Sequence, residues 1–412
     1  MQLLQSFREN LRCVAPTRAM GEEYNTAGLT QGGASVENAG VITTPAVAHL
    51  AHTHKFAAGI VISASHNPWQ DNGIKLFGPD GFKLPDATEL AIEQEIFHQL
   101  ASNTLPPTAV HAPAVNESDR AEYTRFLLDA VPGLSLDNQR IVIDCANGAA
   151  SAVAPQLFAG LGGQVIVTHA SPTGRNINQG CGALHPEVVA AEVVKHKASI
   201  GITFDGDADR ALFADDAGNV VNGDAVLLLA ARDLHARGQL AHATVVATTM
   251  SNMGLEAALG RSGITMLRAP VGDKYVLEQM LSTGATLGGE QSGHIIFSGQ
   301  STTGDGLLTA LLVLNIIHKS GKSLAELTAD LKTFPQVIVN IKVREKKPLD
   351  SIPAVAASIV AAELALAGTG RVVIRYSGTE ALARVMIEAE DHDQMRFHAD
   401  AIADAIRTEL GI

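Results

Sequence analysis

Cysteine and aromatic residues are scarce in this sequence, and negative charge outnumbers positive charge. The three cysteines (Cys13, Cys145 and Cys181) are odd in number and form no CxxC pair, which argues against a disulfide framework and favours a reducing compartment. With 4% aromatic residues and a formal net charge of −13, the chain lacks the basic stripe and stacking rings of a nucleic-acid-binding protein. Small anionic ligands are compatible with this charge, because a cleft can carry positive charge locally.

Long apolar runs are also missing. No segment reaches the roughly 18 apolar residues of a membrane span, and the apolar stretch at 307–317, LLTALLVLNII, is typical of a buried helix. The first residues contain no apolar core of the signal-peptide kind. We therefore expect a cytoplasmic protein that has neither a membrane nor a nucleic acid as its partner.

Strand-like and helix-like segments alternate along most of the 412 residues, a length that suffices for three or four domains. Continuous apolar strands such as AGIVIS are followed by amphipathic stretches, which is the pattern of sheets covered by helices. In the tail, short alternating strands precede one closing helix. We predict α/β domains at 1–135, 136–240 and 241–335 and a smaller α+β domain at 336–412. The first 30 or so residues show no clear strand, and we expect them to be weakly structured.

A serine and a histidine, Ser65 and His66, follow the strand AGIVIS, and Lys75 comes shortly after them. A hydroxyl beside an imidazole suggests a nucleophile, but no G-x-S-x-G elbow surrounds Ser65, which disfavours a serine hydrolase. The Asn-Pro and Asn-Gly pairs that follow indicate turns, so the segment is a loop that presents polar groups after a strand. Ordinary turn residues are the alternative interpretation.

Three carboxylates fall at alternating positions after a buried strand in GITFDGDADRALF: Asp205, Asp207 and Asp209. Packed this closely they repel one another unless a cation compensates them. An EF-hand loop is excluded because its sixth position requires glycine and here holds Arg210. A Mg²⁺ site completed by a phosphate oxygen fits better, since Mg²⁺ takes few protein carboxylates and pairs readily with phosphates. A solvated acidic turn is the alternative.

Two further loops carry groups suited to a phosphorylated, hydroxyl-rich ligand. The segment RYSGTEALARV offers the guanidinium groups of Arg375 and Arg384, two hydroxyls and a glycine, which is how a phosphate monoester is held. In LGGEQSGHIIF, Glu290 and Ser292 lie among glycines that allow a ligand to approach closely. Ordinary turns are the alternative for both loops. The histidines in HLAHTHKF lack a carboxylate partner in a helix-like stretch and are not interpreted as a metal site.

These four stretches, in this order, resemble the phosphohexomutase superfamily. Its marks are a phosphoserine loop, an Asp-Gly-Asp-x-Asp-Arg metal loop, a Gly-Glu-x-Ser-Gly sugar loop and a Ser-Gly-Thr phosphate loop, and the resemblance covers roughly residues 40–410. The residues around these marks, such as SASHNPWQDNGIKLFGPDGFKL and GGEQSGH, are most similar to the superfamily's glucosamine-phosphate branch. The resemblance implies three α/β domains, with mixed sheets sandwiched by helices, and a smaller C-terminal α+β domain around a central cleft.

The resemblance also implies a role for each loop residue. Ser65 would carry a phosphate, His66 and Lys75 would assist proton transfer, and Arg210 would lie near the transferring group. One Mg²⁺ would be held by the phosphorylated Ser65 and by Asp205, Asp207 and Asp209. The substrate would be bound by two sets of residues: Glu290 and Ser292 at the sugar hydroxyls, and Arg375, Ser377, Gly378, Thr379 and Arg384 at the non-reacting phosphate.

The implied reaction is an intramolecular phosphotransfer between glucosamine 6-phosphate and glucosamine 1-phosphate, for UDP-N-acetylglucosamine and cell-wall precursors. It would run through a phosphoserine enzyme and a sugar 1,6-bisphosphate, which also serves as activator. A homodimer is compatible with the superfamily. In-line phosphoryl transfer depends on positioning and charge neutralisation more than on covalent chemistry, and the loop residues supply both.

One part of the superfamily pattern is absent. No Phe-Gly-Thr-Asp-Gly strand and loop, and no Gly-Arg-Asp-Thr-Arg stretch, precedes Ser65. We therefore expect a first domain that lacks its leading strand and an active-site arginine loop. Two alternatives follow: a phosphoglucomutase or phosphomannomutase, and a truncated, inactive remnant that at most binds sugar phosphates.

Overall fold

The computed structural model describes residues 11–14, 29–30, 33–101, 113–377 and 381–412. The chain divides into two compact units, one made of Met1–Met250 and Met266–Thr328 and the other of Ser251–Thr265 and Ala329–Ile412. None of the helices within the described ranges combines the length and the apolar character needed to cross a membrane.

The strands of the described residues form four sheets. The first sheet contains β1 (Leu11–Val14), β2 (Val36–Asn38), β3 (Ala58–Ser63) and β4 (Gly73–Phe77). The second contains β5 (Arg140–Asp144), β6 (Gln164–Thr168), β7 (Ile200–Phe204), β8 (Ala211–Ala214) and β9 (Val220–Val221). The third contains β10 (Thr244–Thr248), β11 (Thr265–Ala269), β12 (Leu287–Gly289) and β13 (Ile295–Phe297), and the fourth contains β14 (Gln336–Lys342), β15 (Gly370–Tyr376) and β16 (Leu382–Ala389).

Helices follow most strands, as the alternating pattern predicts. In chain order they are α1 (Thr44–His54), α2 (Asp86–Ala101), α3 (Glu117–Asp129), α4 (Ala154–Gly160), α5 (Pro186–His196), α6 (Gly223–Ala236), α7 (Met253–Arg261), α8 (Asp273–Thr283), α9 (Gly306–Ser320), α10 (Leu324–Thr328), α11 (Pro353–Ala365) and α12 (His392–Leu410). Side-chain caps fix several starts; Asp305, for example, accepts a hydrogen bond from the Leu308 N–H and begins α9.

The first three sheets share one strand order. The order is β2-β1-β3-β4 in the first sheet, β6-β5-β7-β8-β9 in the second and β11-β10-β12-β13 in the third. In each sheet a parallel pair (β1 with β3, β5 with β7, β10 with β12) is followed by an antiparallel partner (β4, β8 or β13). In each of the three sheets, the loop that follows the third strand in this order therefore occupies the same topological position.

The strands β3, β5 and β7 are largely apolar runs in the sequence because they are buried. Every residue of β3 and of β7 is buried, as is β5 apart from its first residue, because helices cover sheets of this kind on both faces. The N-terminal two-thirds of α9 is likewise buried, which agrees with the prediction of a buried helix at 307–317.

The fourth sheet is antiparallel, with β16 between β14 and β15. Its apolar side chains join those of α11 and α12 in one core cluster that includes Val385, Ile387, Val355, Ile402 and Ile406. This is the smaller α+β module predicted for residues 336–412. The mixed α/β class predicted for the three preceding sheets is also confirmed. The predicted domain boundaries stay predictions.

The expectation of no strand in the first 30 residues is wrong. Leu11–Val14 forms β1, which pairs in parallel with β2 and β3 and lies inside the first sheet. The sequence did not reveal it because four residues are the lower limit for a strand pattern, and LRCV is neither a continuous apolar run nor strictly alternating. A central strand therefore precedes Ser65, and the expected loss of such a strand is not confirmed.

Candidate functional site

Three of the predicted loops follow the third strand of their sheets. The serine loop (64–72) joins β3 to β4, the acidic loop (205–210) joins β7 to β8, and the sugar loop (290–294) joins β12 to β13. The repeated topology thus presents each loop at the same end of its sheet.

Backbone hydrogen bonds bring these loops together within the first unit. The Gly206 N–H donates to the Ser65 carbonyl at 3.1 Å, and the Ala211 N–H donates to the Gly293 carbonyl at 3.1 Å. Gly206 has no room for a side chain, since a Cβ atom there would lie 2.5 Å from the carbonyl oxygen of Ser65. The acidic loop and the strand that follows it therefore connect the serine loop to the sugar loop.

The acidic loop buries three carboxylates together. Asp205, Asp207 and Asp209 are 0–4% exposed, and one oxygen of each lies within 4.8 Å of those of the others. Asp207 Oδ1 and Asp209 Oδ1 are buried without a hydrogen-bond partner, an uncommon condition for polar atoms in a folded protein. Grouped carboxylates with unused oxygens fit a hard divalent cation such as Mg²⁺.

Lys75 supplies positive charge to the same carboxylates. Its Nζ lies 2.6 Å from Asp207 Oδ2 and 3.0 Å from Asp209 Oδ2, and Thr44 donates its hydroxyl to that Asp207 oxygen at 2.6 Å. Burial lowers the pKa of Lys75, but Asp209 and Asp207 outweigh burial and raise that pKa above its ordinary value. Lys75 is therefore a fixed positive charge at the centre of the site.

The surroundings of the acidic loop move the pKa values of Asp205 and Asp209 in opposite directions. Burial, and then the Asp209 and Asp207 carboxylates, raise the pKa of Asp205 well above its usual range. Burial also acts to raise the pKa of Asp209, but Lys75 and His294 lower it well below its usual range. In the absence of a cation, Asp205 takes up a proton more readily than Asp209, which is expected when like charges share one site.

Ser65 stands at the edge of this cluster. Its Oγ lies 3.4 Å from Asp205 Oδ2 and 3.4 Å from His66 Nδ1. Its backbone is left-handed, with φ at 51°, and its N–H donates to Ser63 Oγ at 2.9 Å. Non-glycine residues adopt this conformation rarely and often at functional sites.

Two basic side chains, His66 and Arg210, flank the serine and the acids. Burial, followed by the charge of Arg210, lowers the pKa of His66, so its imidazole is neutral at pH 7 and able to accept a proton. The backbone N–H of Arg210 donates to Asp205 Oδ1 at 3.1 Å, while its Nε lies 3.8 Å from Asp209 Oδ1. The guanidinium thus places a second positive charge beside the acidic loop.

The sugar loop is a tight turn that fixes one carboxylate. Glu290 Oε1 accepts the Gly272 N–H at 3.0 Å, and Glu290 Oε2 accepts the Ser292 hydroxyl at 3.2 Å. Gln291 donates to Asp224 Oδ2 at 3.1 Å. The structure therefore brings the predicted pair Glu290 and Ser292 together in one hydrogen-bonded group within the first unit.

The predicted phosphate residues belong to the second unit. Arg375 of β15 is paired directly with Arg384 of β16, and Arg384 Nε donates to Asn340 Oδ1 at 2.9 Å. The Ser377 N–H donates to the Leu382 carbonyl at 2.9 Å. Like charges directly opposite on neighbouring strands are unfavourable, so this pair suits a bound anion. Two further predicted residues, Gly378 and Thr379, lie outside the described residues.

Sequence reasoning missed three residues at this site: Thr44, Asn178 and His294. His294 is buried, accepts the Gly304 N–H on Nε2 at 3.1 Å and faces Asp209 Oδ1 with Nδ1 at 3.7 Å. It belongs to the segment GGEQSGH, in which Glu290 and Ser292 were identified from the sequence. Thr44 and Asn178 carried no signal, since they lie far along the chain from the residues they contact.

A second group with metal-ligand chemistry has a structural role. Asp144, His169 and Cys181 offer atoms within 4.8 Å of one another. Both Asp144 oxygens already accept backbone N–H groups, from Ala146 at 2.9 Å and from Gly182 at 3.0 Å, and His169 Nδ1 lies 3.2 Å from Asp144 Oδ1. We interpret this group as an anchor for the loops at the end of the second sheet.

Known sequences match the chain along most of its length. Four profiles described as phosphoglucomutase/phosphomannomutase match it: alpha/beta/alpha domain I at residues 17–102, domain II at 121–218, domain III at 222–334 and the C-terminal domain at 338–405. The phosphoglucosamine mutase of Koribacter versatilis is 59% identical over 391 residues, 93% of this chain and 84% of that protein. The phosphoglucosamine mutase of Solibacter usitatus is 53% identical over 401 residues, covering 96% and 89%.

Solved structures share the fold at low sequence identity. A phosphoglucomutase/phosphomannomutase family protein from Burkholderia thailandensis aligns over 100% of this chain and 94% of its own, with a TM-score of 0.75 and 21% identity. The Aspergillus fumigatus N-acetylphosphoglucosamine mutase, in complex with GlcNAc-6P and magnesium, aligns over 89% and 92%, with a TM-score of 0.63 and 20% identity.

Proposed function

Because this chain belongs to the phosphoglucomutase/phosphomannomutase family, we propose that it is a phosphosugar mutase that interconverts glucosamine 6-phosphate and glucosamine 1-phosphate. One observation carries the proposal: the Ser65 hydroxyl lies 3.4 Å from a carboxylate of the buried cluster of three. Relatives named phosphoglucosamine mutase, at 59% and 53% identity, support the amino sugar over glucose or mannose.

The residues at the acidic loop fit a divalent cation, and we propose Mg²⁺. Asp205, Asp207 and Asp209 would hold it together with an oxygen of the phosphorylated Ser65, because two of their buried oxygens have no hydrogen-bond partner. When bound, the ion supplies positive charge that offsets the charge of the transferring phosphoryl group. Lys75 and Arg210 add positive charge from the protein itself.

In the first half-reaction, phosphorylated Ser65 is the donor. A hydroxyl of the sugar monophosphate attacks phosphorus, a new O–P bond forms, and the bond between phosphorus and Ser65 Oγ breaks. The hydroxyl gives up its proton to neutral His66, and the serine oxygen that leaves takes a proton back from His66, whose Nδ1 lies 3.4 Å from Ser65 Oγ. The product is a sugar 1,6-bisphosphate, and its other phosphate returns to Ser65 in the second half.

Binding of the sugar and of its non-reacting phosphate is assigned to separate groups. Glu290 and Ser292 present hydrogen-bonding oxygens to sugar hydroxyls. Arg375 and Arg384, with Ser377, present a cationic pair to the phosphate, and Gly378 and Thr379 belong to the same proposed loop. Since a phosphate monoester is dianionic near pH 7, two guanidinium groups are suitable partners for it.

The wider proposal is a cytoplasmic enzyme of amino-sugar metabolism, with a phosphosugar as its small-molecule partner and a sugar 1,6-bisphosphate as activator. Neither a nucleic acid nor a membrane is proposed as a partner, and a homodimer stays a prediction. The chemistry requires only the groups described above and the phosphate that Ser65 carries.

One assay tests the function. The purified protein is incubated with Mg²⁺, glucose 1,6-bisphosphate and glucosamine 6-phosphate, and formation of glucosamine 1-phosphate is followed. We expect turnover that depends on Mg²⁺ and is faster for glucosamine phosphate than for glucose or mannose phosphates. Faster turnover of a glucose or mannose phosphate would select the alternative substrates, and no turnover by folded protein would overturn the enzyme function.

A further inference from the structure

The side chain of Asn178 bridges two carbonyls of the serine loop. Its Nδ2 donates to the Ser65 carbonyl at 2.8 Å and to the Asn67 carbonyl at 2.8 Å. A primary amide has two N–H donors, and here both are used on the two sides of the turn that contains Ser65 and His66. Asn178 belongs to the segment between β6 and α5, 113 residues away from Ser65.

Asn178 is itself held in place by the second sheet. Its backbone N–H donates to the Ala146 carbonyl at 2.9 Å, and Ala146 in turn donates to the buried Asp144 carboxylate. The preceding residue, Ile177, is 5% exposed, and the backbone of Asn178 is left-handed, with φ at 58°. The amide is therefore presented from a fixed support.

The Ser65 carbonyl receives a second donor, the Gly206 N–H at 3.1 Å. Gly206 belongs to the acidic loop. The Ser65 carbonyl oxygen therefore accepts one hydrogen bond from the loop that carries the carboxylates and one from Asn178. The left-handed backbone of Ser65 is unfavourable for a residue with a side chain. The two donors to its carbonyl stabilise this conformation, in which Oγ lies 3.4 Å from Asp205 Oδ2.

We propose that Asn178 is a positioning residue for phosphoryl transfer at Ser65. By bridging the two carbonyls it fixes the turn in which the serine oxygen faces the acidic cluster, in both the free and the phosphorylated state. This inference rests on the proposed mutase function. It assigns no contact between Asn178 and the sugar, so its effect belongs to the transfer step and not to substrate binding.

Two variants test the proposal. Asn178→Ala removes both donors, and Asn178→Asp keeps the size of the side chain but replaces the donors with a carboxylate that faces two carbonyls. We expect kcat to fall about 10- to 100-fold in both, since a displacement near 1 Å at a reacting group has an effect of that size, while KM for glucosamine 6-phosphate stays within about threefold. Phosphorylation of Ser65 by glucose 1,6-bisphosphate, followed by intact mass, is expected to slow in parallel.

The matched control is Asn176→Asp, the same chemical change two residues away. The Asn176 amide donates to the Ser171 carbonyl and accepts from Thr173, so its contacts stay within its own loop. We expect its kcat to stay within about threefold of the wild-type value. Thermal unfolding of each variant identifies a loss that comes from misfolding, and the size-preserving Asn178→Asp decides the question if Asn178→Ala does not fold.

Retention of wild-type kcat by Asn178→Asp, or a loss confined to KM, would overturn the positioning role while leaving the mutase function intact. Absence of turnover and of Ser65 phosphorylation in the wild type would instead overturn the function, and with it this inference. An equal loss of kcat in Asn176→Asp would show that the loop as a whole, and not the amide of Asn178, is responsible.

Discussion

The serine loop and the acidic loop occupy the same position in two sheets of the same strand order, yet they differ in length and burial. The serine loop runs from 64 to 72, and most of its residues from 67 onward are exposed. The acidic loop runs from 205 to 210, and every residue except Arg210 is buried. With the roles proposed above, one topology would serve two different tasks.

Backbone contacts account for the difference. In the acidic loop, the carbonyls of Gly206, Asp207 and Ala208 each accept an N–H from another segment, namely from Ala149, Thr44 and Gly306. In the serine loop, the contacts from outside concentrate on the carbonyls of Ser65 and Asn67. With the roles proposed above, the loop that gathers negative charge is fixed along its length, whereas the loop that would exchange a phosphate is fixed at one turn and is otherwise largely exposed.

The largest effect is expected from Ser65→Ala, which removes the group that we propose carries the phosphate. Turnover should fall by about 10³-fold or more, as for loss of a covalent nucleophile. The unfolding temperature should change little, because the Ser65 side chain has only long contacts, at 3.4 Å. Intact mass after incubation with glucose 1,6-bisphosphate checks the assignment, and a phosphate that persists in the variant would place the carrier elsewhere.

A smaller effect is expected from Asp207→Asn in the acidic loop. The substitution removes one of three negative charges and an oxygen suited to a cation, so the stabilisation of the folded protein by Mg²⁺ should weaken. For the wild type, saturation at 100 times Kd corresponds to about 2.7 kcal/mol. The rise in unfolding temperature on adding Mg²⁺ measures this directly, independently of activity.

Asp216→Asn is the matched control for that measurement. Asp216 is exposed and follows β8 in the same sheet, so the charge change is equal but occurs away from the carboxylate cluster. It should keep the full response to Mg²⁺. A full response in Asp207→Asn would contradict the assignment of the cation to the acidic loop.

The smallest effect concerns Asp305, whose helix supports the acidic loop through the Gly306 N–H. Burial raises the pKa of Asp305 to about 6, above the ordinary value for an unfolded chain. The folded protein therefore holds this proton more tightly, and the associated stability is present below about pH 4 and is lost as pH rises toward 6. Asp305→Asn keeps an N-cap oxygen and a partner for Tyr123 without the charge.

As pH rises from 4 to 6, the free energy of unfolding of Asp305→Asn should increase relative to that of the wild type by on the order of 2 kcal/mol. Above this range the difference between the two proteins should stay constant. Denaturant unfolding of both proteins across this range gives the difference. A constant difference between Asp305→Asn and the wild type would show that Asp305 titrates alike in the folded and unfolded chain.

Local patterns were enough to predict the central strands other than β1, and the acidic loop. Strands such as β7 are continuous apolar runs, and the alternating acids that follow β7 would repel one another at the end of a buried strand without a compensating cation. The strand β1 could not be predicted in this way, because four residues do not establish a period. Its place is set by pairing with β2 and β3, which are distant in sequence.

The contacts of the site were the least predictable part. Asn178 reaches Ser65 across 113 residues, and Thr44 reaches Asp207 across 163. Neither residue type is unusual in a turn or at a helix start, so only the folded chain distinguishes them from their neighbours. The groups that bear charge were visible in the sequence, while those that orient them were not.

The shared strand order of the first three sheets has a consequence for how such a protein can change over time. With the roles proposed here, one copy of the arrangement carries the exchanged phosphate, a second holds the cation, and a third contacts the sugar. Substitutions at positions 290–292, which leave His294 in place beside Asp209, can therefore alter which sugar is accepted while Ser65 and the three acids are kept. The division of tasks among like parts makes new substrates accessible through local changes in a single loop.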